Sequence, residues 1–148
     1  MGRGIQEAIK AGFENIISIE ISDKYHSICS NKFKNNKNVE IVLGDSYKVL
    51  PSILSKINHS VTFWLDGHHS CGDTGIGDFW APLIQELESI KNHHINSHTI
   101  MIDDMNCWEE ENIVHGFTTI DIRDSLNSIN PNYRIENIKE SNILIASL

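Results

Sequence analysis

Val61-Thr62-Phe63-Trp64-Leu65 runs straight into Asp66-Gly67-His68-His69, and Thr99-Ile100-Met101-Ile102 runs straight into Asp103-Asp104. Each is a short apolar run that stops at acid. Neither alternates polar with apolar, which fits a strand covered on both faces, as in a parallel sheet flanked by helices. In such sheets ligands sit outside the carboxyl ends of the strands. Acids at two such ends mark where a cation, a cofactor or a reacting proton would be handled.

Working outward, helical and strand patterns alternate. Ile5, Ala8, Ile9 and Gly12 keep helical spacing, and Gly12 suits a helix end. Ile16 to Ile21 is β-branched and short, hence a strand. Ser22 or Asp23 can cap a helix that buries Tyr25, Ile28, Cys29 and Phe33. After the polar loop 34–38, Val39 to Leu43 is a strand closed by Gly44-Asp45-Ser46. Pro51 suits the first turn of a short helix through Ile57. A Gly-rich, acid-rich loop covers 66–78. Leu83, Ile84, Leu87 and Ile90 share one face of a helix with Pro82 in its first turn. His98 to Ile102 is a strand, and 105–118 is irregular and acidic. Ile122, Leu126 and Ile129 form a helical stripe stopped by Pro131. Tyr133–Ile138 and Ile143–Ser147 read as an antiparallel hairpin. The order α-β-α-β-α-β-α-β-α-β-β predicts an α/β fold: a three-layer sandwich on a mostly parallel sheet with an antiparallel C-terminal hairpin.

The 148 residues make one domain, spanning 1–148, with 40% hydrophobic and 22% charged residues. The net charge of −8 argues against a nucleic-acid backbone as partner, which requires a basic patch. No apolar run is long enough to span a membrane, and no signal pattern opens the chain. The three cysteines, Cys29, Cys71 and Cys107, are odd in number and widely spaced. They read as free thiols in a reducing compartment, so a cytoplasmic location is expected.

Each candidate residue has a functional and a plain reading. Glu20 ends a strand, where an acid can hold ribose hydroxyls or simply be solvated. Gly2 and Gly4 flank Arg3 before the first helix, either admitting a ligand to a helix N-terminus or forming a pliant end. Asp45 and Ser46 can bond an adenine amino group, cap a helix, or both. Asp66, Asp103 and Asp104 can chelate one divalent cation, with oxygen donors favouring Mg²⁺, Mn²⁺ or Ca²⁺ over zinc. Adjacent like charges repel, which a cation between them would relieve. His68 or His69 can serve as general base toward a hydroxyl, or bond only backbone. His93, His94 and His98 suggest zinc, but no Cys or acid completes the set, and they read as a solvated connection. Glu109-Glu110-Glu111 reads as a solvated acidic turn, and nothing in sequence places a base beside Cys71.

Glu20, Gly44-Asp45-Ser46, Leu65-Asp66-Gly67-His68 and the final hairpin, taken in order, resemble the class I S-adenosylmethionine-dependent methyltransferases over nearly the whole chain. Asp66-Gly67-His68 with Ile102-Asp103-Asp104 resembles the metal-dependent small-molecule O-methyltransferases, such as those that modify macrolide sugars. The resemblance implies S-adenosylmethionine as cofactor, bound by Gly2, Gly4, Glu20, Asp45, Ser46 and Asp66. It implies Mg²⁺ on Asp66, Asp103 and Asp104, a base at His68 or His69, and a small-molecule acceptor. The chain departs from the family in one respect: the family's first strand, central in its sheet, has no counterpart before Gly2. A fragment of a longer reading frame, or a relative with a damaged cofactor site, would produce this. The sheet would then have a gap in its middle, open to pairing with another chain in a homo-oligomer.

Two other readings stand beside it. One is a non-catalytic module of the same fold. The other is a metal-dependent hydrolase, because Asp66-Gly67-His68 resembles the Asp-Ala-His motif of arginase-like enzymes, although their Gly-Gly-Asp-His and Asp-x-Asp segments are absent.

Overall fold

The computed structural model describes residues 1–69, 72, 74–108 and 116–148. The expectations for Cys71 and for Glu109-Glu110-Glu111 lie outside the described residues. Helices and strands alternate: α1 (Arg3–Lys10), β1 (Ile16–Glu20), α2 (Asp23–Phe33), β2 (Val39–Leu43), α3 (Ser46–Leu54), β3 (Thr62–Leu65), α4 (Leu83–Lys91), β4 (Thr99–Ile102), α5 (Thr119–Ile129), β5 (Arg134–Ile138) and β6 (Ile143–Ser147). Single 3₁₀ turns follow β4 at Met105–Trp108 and join β5 to β6 at Lys139–Ser141.

The chain is mixed α/β, but its strands form two sheets where the sequence predicts one. β1 and β2 pair in parallel, from Ile16 opposite Val39 to Glu20 opposite Leu43. The second sheet runs β3-β4-β6-β5, with β3 parallel to β4 and β6 antiparallel to both of its neighbours. The hairpin is present. Its second strand is interior, beside β4, and β5 forms the edge.

This arrangement corrects the reading of the first acid-tipped run. β4 has the alternating burial of a strand with neighbours on both sides, and Ile100 and Ile102 are fully buried. β3 is an edge, so only Leu65 is buried and Trp64 is 47% exposed. The apolar run of β3 is therefore not covered on both faces.

The main core joins α3, α4 and α5 to the second sheet, with Leu87, Ile90, Ile122, Leu126 and Leu144 at its centre. The expected stripes of α4 and α5 account for this: Leu83, Leu87 and Ile90 are buried, as are Ile122, Leu126 and Ile129. Thr118 and Asp121 close a capping box at the start of α5, each side chain bonding the other's backbone N–H. A smaller cluster of Ile5, Cys29 and Phe33 packs α1 and α2 against the first sheet, while Ile19 reaches the main core.

Three local expectations are corrected. Ile28 is exposed, because α2 turns Cys29 and Phe33 inward and leaves Ile28 on its outer side. α3 begins at Ser46 and ends at Leu54, so Pro51 lies inside the helix, where its ring nitrogen has no proton for the carbonyl four residues back. His93 and His98 are buried, His98 fully, so these two belong to the interior and not to a solvated connection, while His94 is exposed as expected.

Candidate functional site

The site lies where β3 and β4 end. Asp103 N–H donates to the Leu65 carbonyl at 3.1 Å, carrying the parallel ladder to the last strand residue and setting Asp66 beside Asp103. Asp104 then takes a left-handed backbone conformation, with φ of 55°. Few residues other than glycine adopt it, and Asp is among those that tolerate it. The Asp103 carboxylate accepts the Asp104 N–H at 2.8 Å and holds the turn. Asn142, also left-handed, braces the following 3₁₀ turn from the β5–β6 connection. It accepts from Met105 N–H through its carbonyl at 3.0 Å and from Asn106 N–H through its side chain at 2.9 Å.

His68 stands between the two acids. Its Nδ1 lies 3.7 Å from Asp66 Oδ1 and its Nε2 lies 3.7 Å from Asp104 Oδ2. Trp108 meets the His68 ring edge to face at 6.1 Å and donates its indole N–H to the Asp103 carbonyl at 3.3 Å. Burial, and next the charge of Asp103, push the Asp66 carboxyl above its usual range, and His68 first and a bond from the Trp64 side chain second only partly offset this. One donor atom each from Asp66, His68 and Asp104 lies within 4.8 Å of the others. Two donors at about 2.1 Å from one ion stand roughly 3–4 Å apart, so the set needs little closing to take a divalent cation. Two carboxylates and one imidazole suit Mn²⁺, whereas Mg²⁺, which takes oxygen donors, would use the two carboxylates alone; the excess negative charge around Asp66 favours a cation.

The other predicted residues are placed as follows. Asp103 adjoins the cluster and spends one oxygen on the Asp104 amide. His69 faces away: its Nδ1 lies 3.1 Å from Thr74 Oγ1 and 3.3 Å from the Gly75 carbonyl, and its ring packs edge-on against Trp80. Glu20 accepts from Ser22 N–H at 2.9 Å, beyond the end of β1. Gly2, left-handed, is the N-cap of α1, and a Cβ there would strike the Phe33 ring at 2.5 Å; the surroundings of Gly4 are open. Asp45 occupies the N-cap of α3 without a side-chain capping bond, and its carboxylate accepts from Asp78 N–H at 3.3 Å.

The sequence reading missed Glu86. Only 4% exposed, it hydrogen-bonds Ser46, and a Cβ on Gly67 would come within 3.3 Å of its Oε1. Burial first, and the nearby Asp45 second, push its carboxyl up to about 7, with the Ser46 bond acting against them. Its Oε2 has no hydrogen-bond partner among the described residues. Glu86 therefore bonds Ser46 at the start of α3 and lies close to Gly67, between Asp66 and His68. The signal was present: Glu86 lies three residues after Leu83 and four before Ile90, an acid on the core face of its helix.

Compared with known proteins, the chain matches no family model and no curated sequence.

Proposed function

We propose that this chain is a methyl-transfer domain that uses S-adenosylmethionine and a divalent cation to methylate an oxygen of a small molecule. The observation that carries this reading is the Asp66–His68–Asp104 cluster at the ends of two parallel strands, with Glu86, bonded to Ser46, close beside Gly67. A cation there would act as a Lewis acid toward an acceptor hydroxyl and stabilise the alkoxide that develops. The chain's own work is positioning. Asp66 and Asp104 would hold the cation, and His68 would either complete its donor set or take the hydroxyl proton. Glu20, Asp45 and Ser46 would hold the nucleoside beyond β1 and β2.

The same reading treats the two sheets as halves of one Rossmann-like three-layer sandwich. The order β2-β1 and then β3-β4-β6-β5, with β1 parallel to β2 and β3 parallel to β4, is that of such a sheet with one strand absent between β1 and β3. That split also favours a second reading, a non-catalytic module of the same fold, because a cofactor would have to span the break.

Calorimetric titration with S-adenosylhomocysteine, with and without Mg²⁺, tests the two. Binding in the micromolar range supports the enzyme. No heat from this chain, nor from one extended at its amino end, supports the module.

A further inference from the structure

The segment from Thr74 to Trp80 leaves the cation cluster and folds back over the ends of the first sheet. Gly75 passes against Ile21, just beyond β1, and Gly77 passes against Asp45, just beyond β2. The approach at Gly77 is so close that a Cβ there would overlap the Asp45 carboxylate. The next residue, Asp78, donates its N–H to that same carboxylate at 3.3 Å.

The segment is tied down on both sides. Asp78 accepts from Tyr47 Oη at 2.7 Å and pairs with Lys48 Nζ at 2.8 Å, both from the first turn of α3. Phe79 meets the Tyr47 ring edge to face at 5.1 Å. Toward the cation cluster, His69 donates its N–H to the Trp80 carbonyl at 2.8 Å, and its ring reaches Thr74 and Gly75. Its anchors therefore come from α3 on one flank and from the residue after His68 on the other.

We propose that Thr74–Trp80 is an autoinhibitory strap whose backbone amide occupies the Asp45 carboxylate until a ligand bearing an amino donor lifts it. This rests on the reading of Asp45 as a nucleoside contact. An exocyclic amine offers Asp45 Oδ2 the same kind of bond that Asp78 N–H now makes, and the Gly77 backbone packed against that oxygen takes the space the amine would need. The ties to Tyr47 and Lys48 are exposed and individually weak, which suits a contact meant to open. Because His69 anchors the strap and His68 belongs to the cation cluster, filling the cluster and lifting the strap act on adjacent residues.

Amide hydrogen exchange on the ligand-free protein tests the strap directly. Gly77→Ala should speed exchange across 74–80 at least about tenfold. Asp78→Ala, which keeps the backbone amide and removes both ties, should speed it as well and serves if Gly77→Ala does not fold. Unchanged exchange in a folded variant overturns the strap. Calorimetry with S-adenosylhomocysteine then tests its inhibitory role. Tighter binding by at least threefold in either variant, with faster exchange at Asp78 on binding to the unaltered protein, supports it. Slower exchange at Asp78 on binding overturns it, because the strap would then be part of the filled site. Fast exchange in the variants with no binding in any form leaves the strap standing and removes the nucleoside reading.

Discussion

Nδ1 of His93 lies 3.0 Å from Nε2 of His98, with the two ring planes within 18° of parallel and their centroids 5.1 Å apart. Val61 N–H donates to His98 Nδ1 at 3.2 Å, so the proton of His98 sits on Nε2 and points at His93. His93 in turn meets the Ile57 carbonyl through Nε2 at 3.0 Å. The line ties the loop before β3 to the loop before β4. A proton added at Nδ1 of His98 would set that ring nitrogen and the Val61 N–H against each other as two donors.

Burial, and then the neighbouring His93, hold His98 below the usual imidazole value. A lowered base gives stability that is present above the unfolded value, about 6.5, and is lost as pH falls through the folded value. Urea unfolding between pH 5 and pH 8 should therefore show wild type weakening on the acid side. His98→Gln should be less stable at pH 8 by about 2 kcal/mol and should have a flatter acid limb. Parallel limbs would remove the titration of His98 from the account.

Glu86 has the opposite sign. Its carboxyl is raised from 4.5 to about 7, so its proton is bound more tightly in the fold. The stability this brings is complete below pH 4.5 and is lost as pH rises through 7. Glu86→Gln keeps the shape and removes the buried charge. It should stabilise the protein at pH 8 by on the order of 1–3 kcal/mol and change it little at pH 4.5, read from thermal melts at the two values.

Asp104 carries backbone strain at φ 55° and sits among like charges. Asp104→Gly should raise stability by about 1 kcal/mol in urea unfolding, since glycine adopts this conformation freely. The same change should remove Mn²⁺ binding. A gain in stability with loss of the ion would mark Asp104 as held for function at the cost of the fold.

Mn²⁺ titration followed by electron paramagnetic resonance should rank the acids. Asp66→Ala and Asp104→Ala each remove a member of the cluster and should weaken binding at least about tenfold. Asp103→Ala removes the brace on the Asp104 amide and should weaken it less. Equal affinity in all four proteins would dismiss the cation.

The helices of the main core were legible because Leu83, Leu87, Ile90 and Ile122, Leu126, Ile129 repeat at the helical period, and period survives any tertiary arrangement. The acids at the ends of β3 and β4 were legible for a related reason: an apolar run that stops at acid fixes where the strand ends. What sequence could not convey was which strands are neighbours. Trp64 and Ile100 look alike in a list of residues, yet one lies at an edge and the other at the centre of a sheet. The buried histidine line was missed because polar residues near a helix end read as solvated unless their partners are known, and Ile57 and Val61 lie more than thirty residues away. Glu86 was missed for the reverse reason, an acid hidden within an otherwise regular stripe.

The division of the strands into two sheets has a consequence for how the molecule breathes. The first sheet is backed by a cluster of Ile5, Cys29 and Phe33, while the second has the whole of the main core. Cooperative opening units follow such differences in buried contact, so the stretch from α1 to β2 should open as a unit well before the rest. A ligand gripping Asp45 and Asp66 together would join the two units into one. It would then reveal itself far from any contact, as slowed amide exchange in α1 and α2.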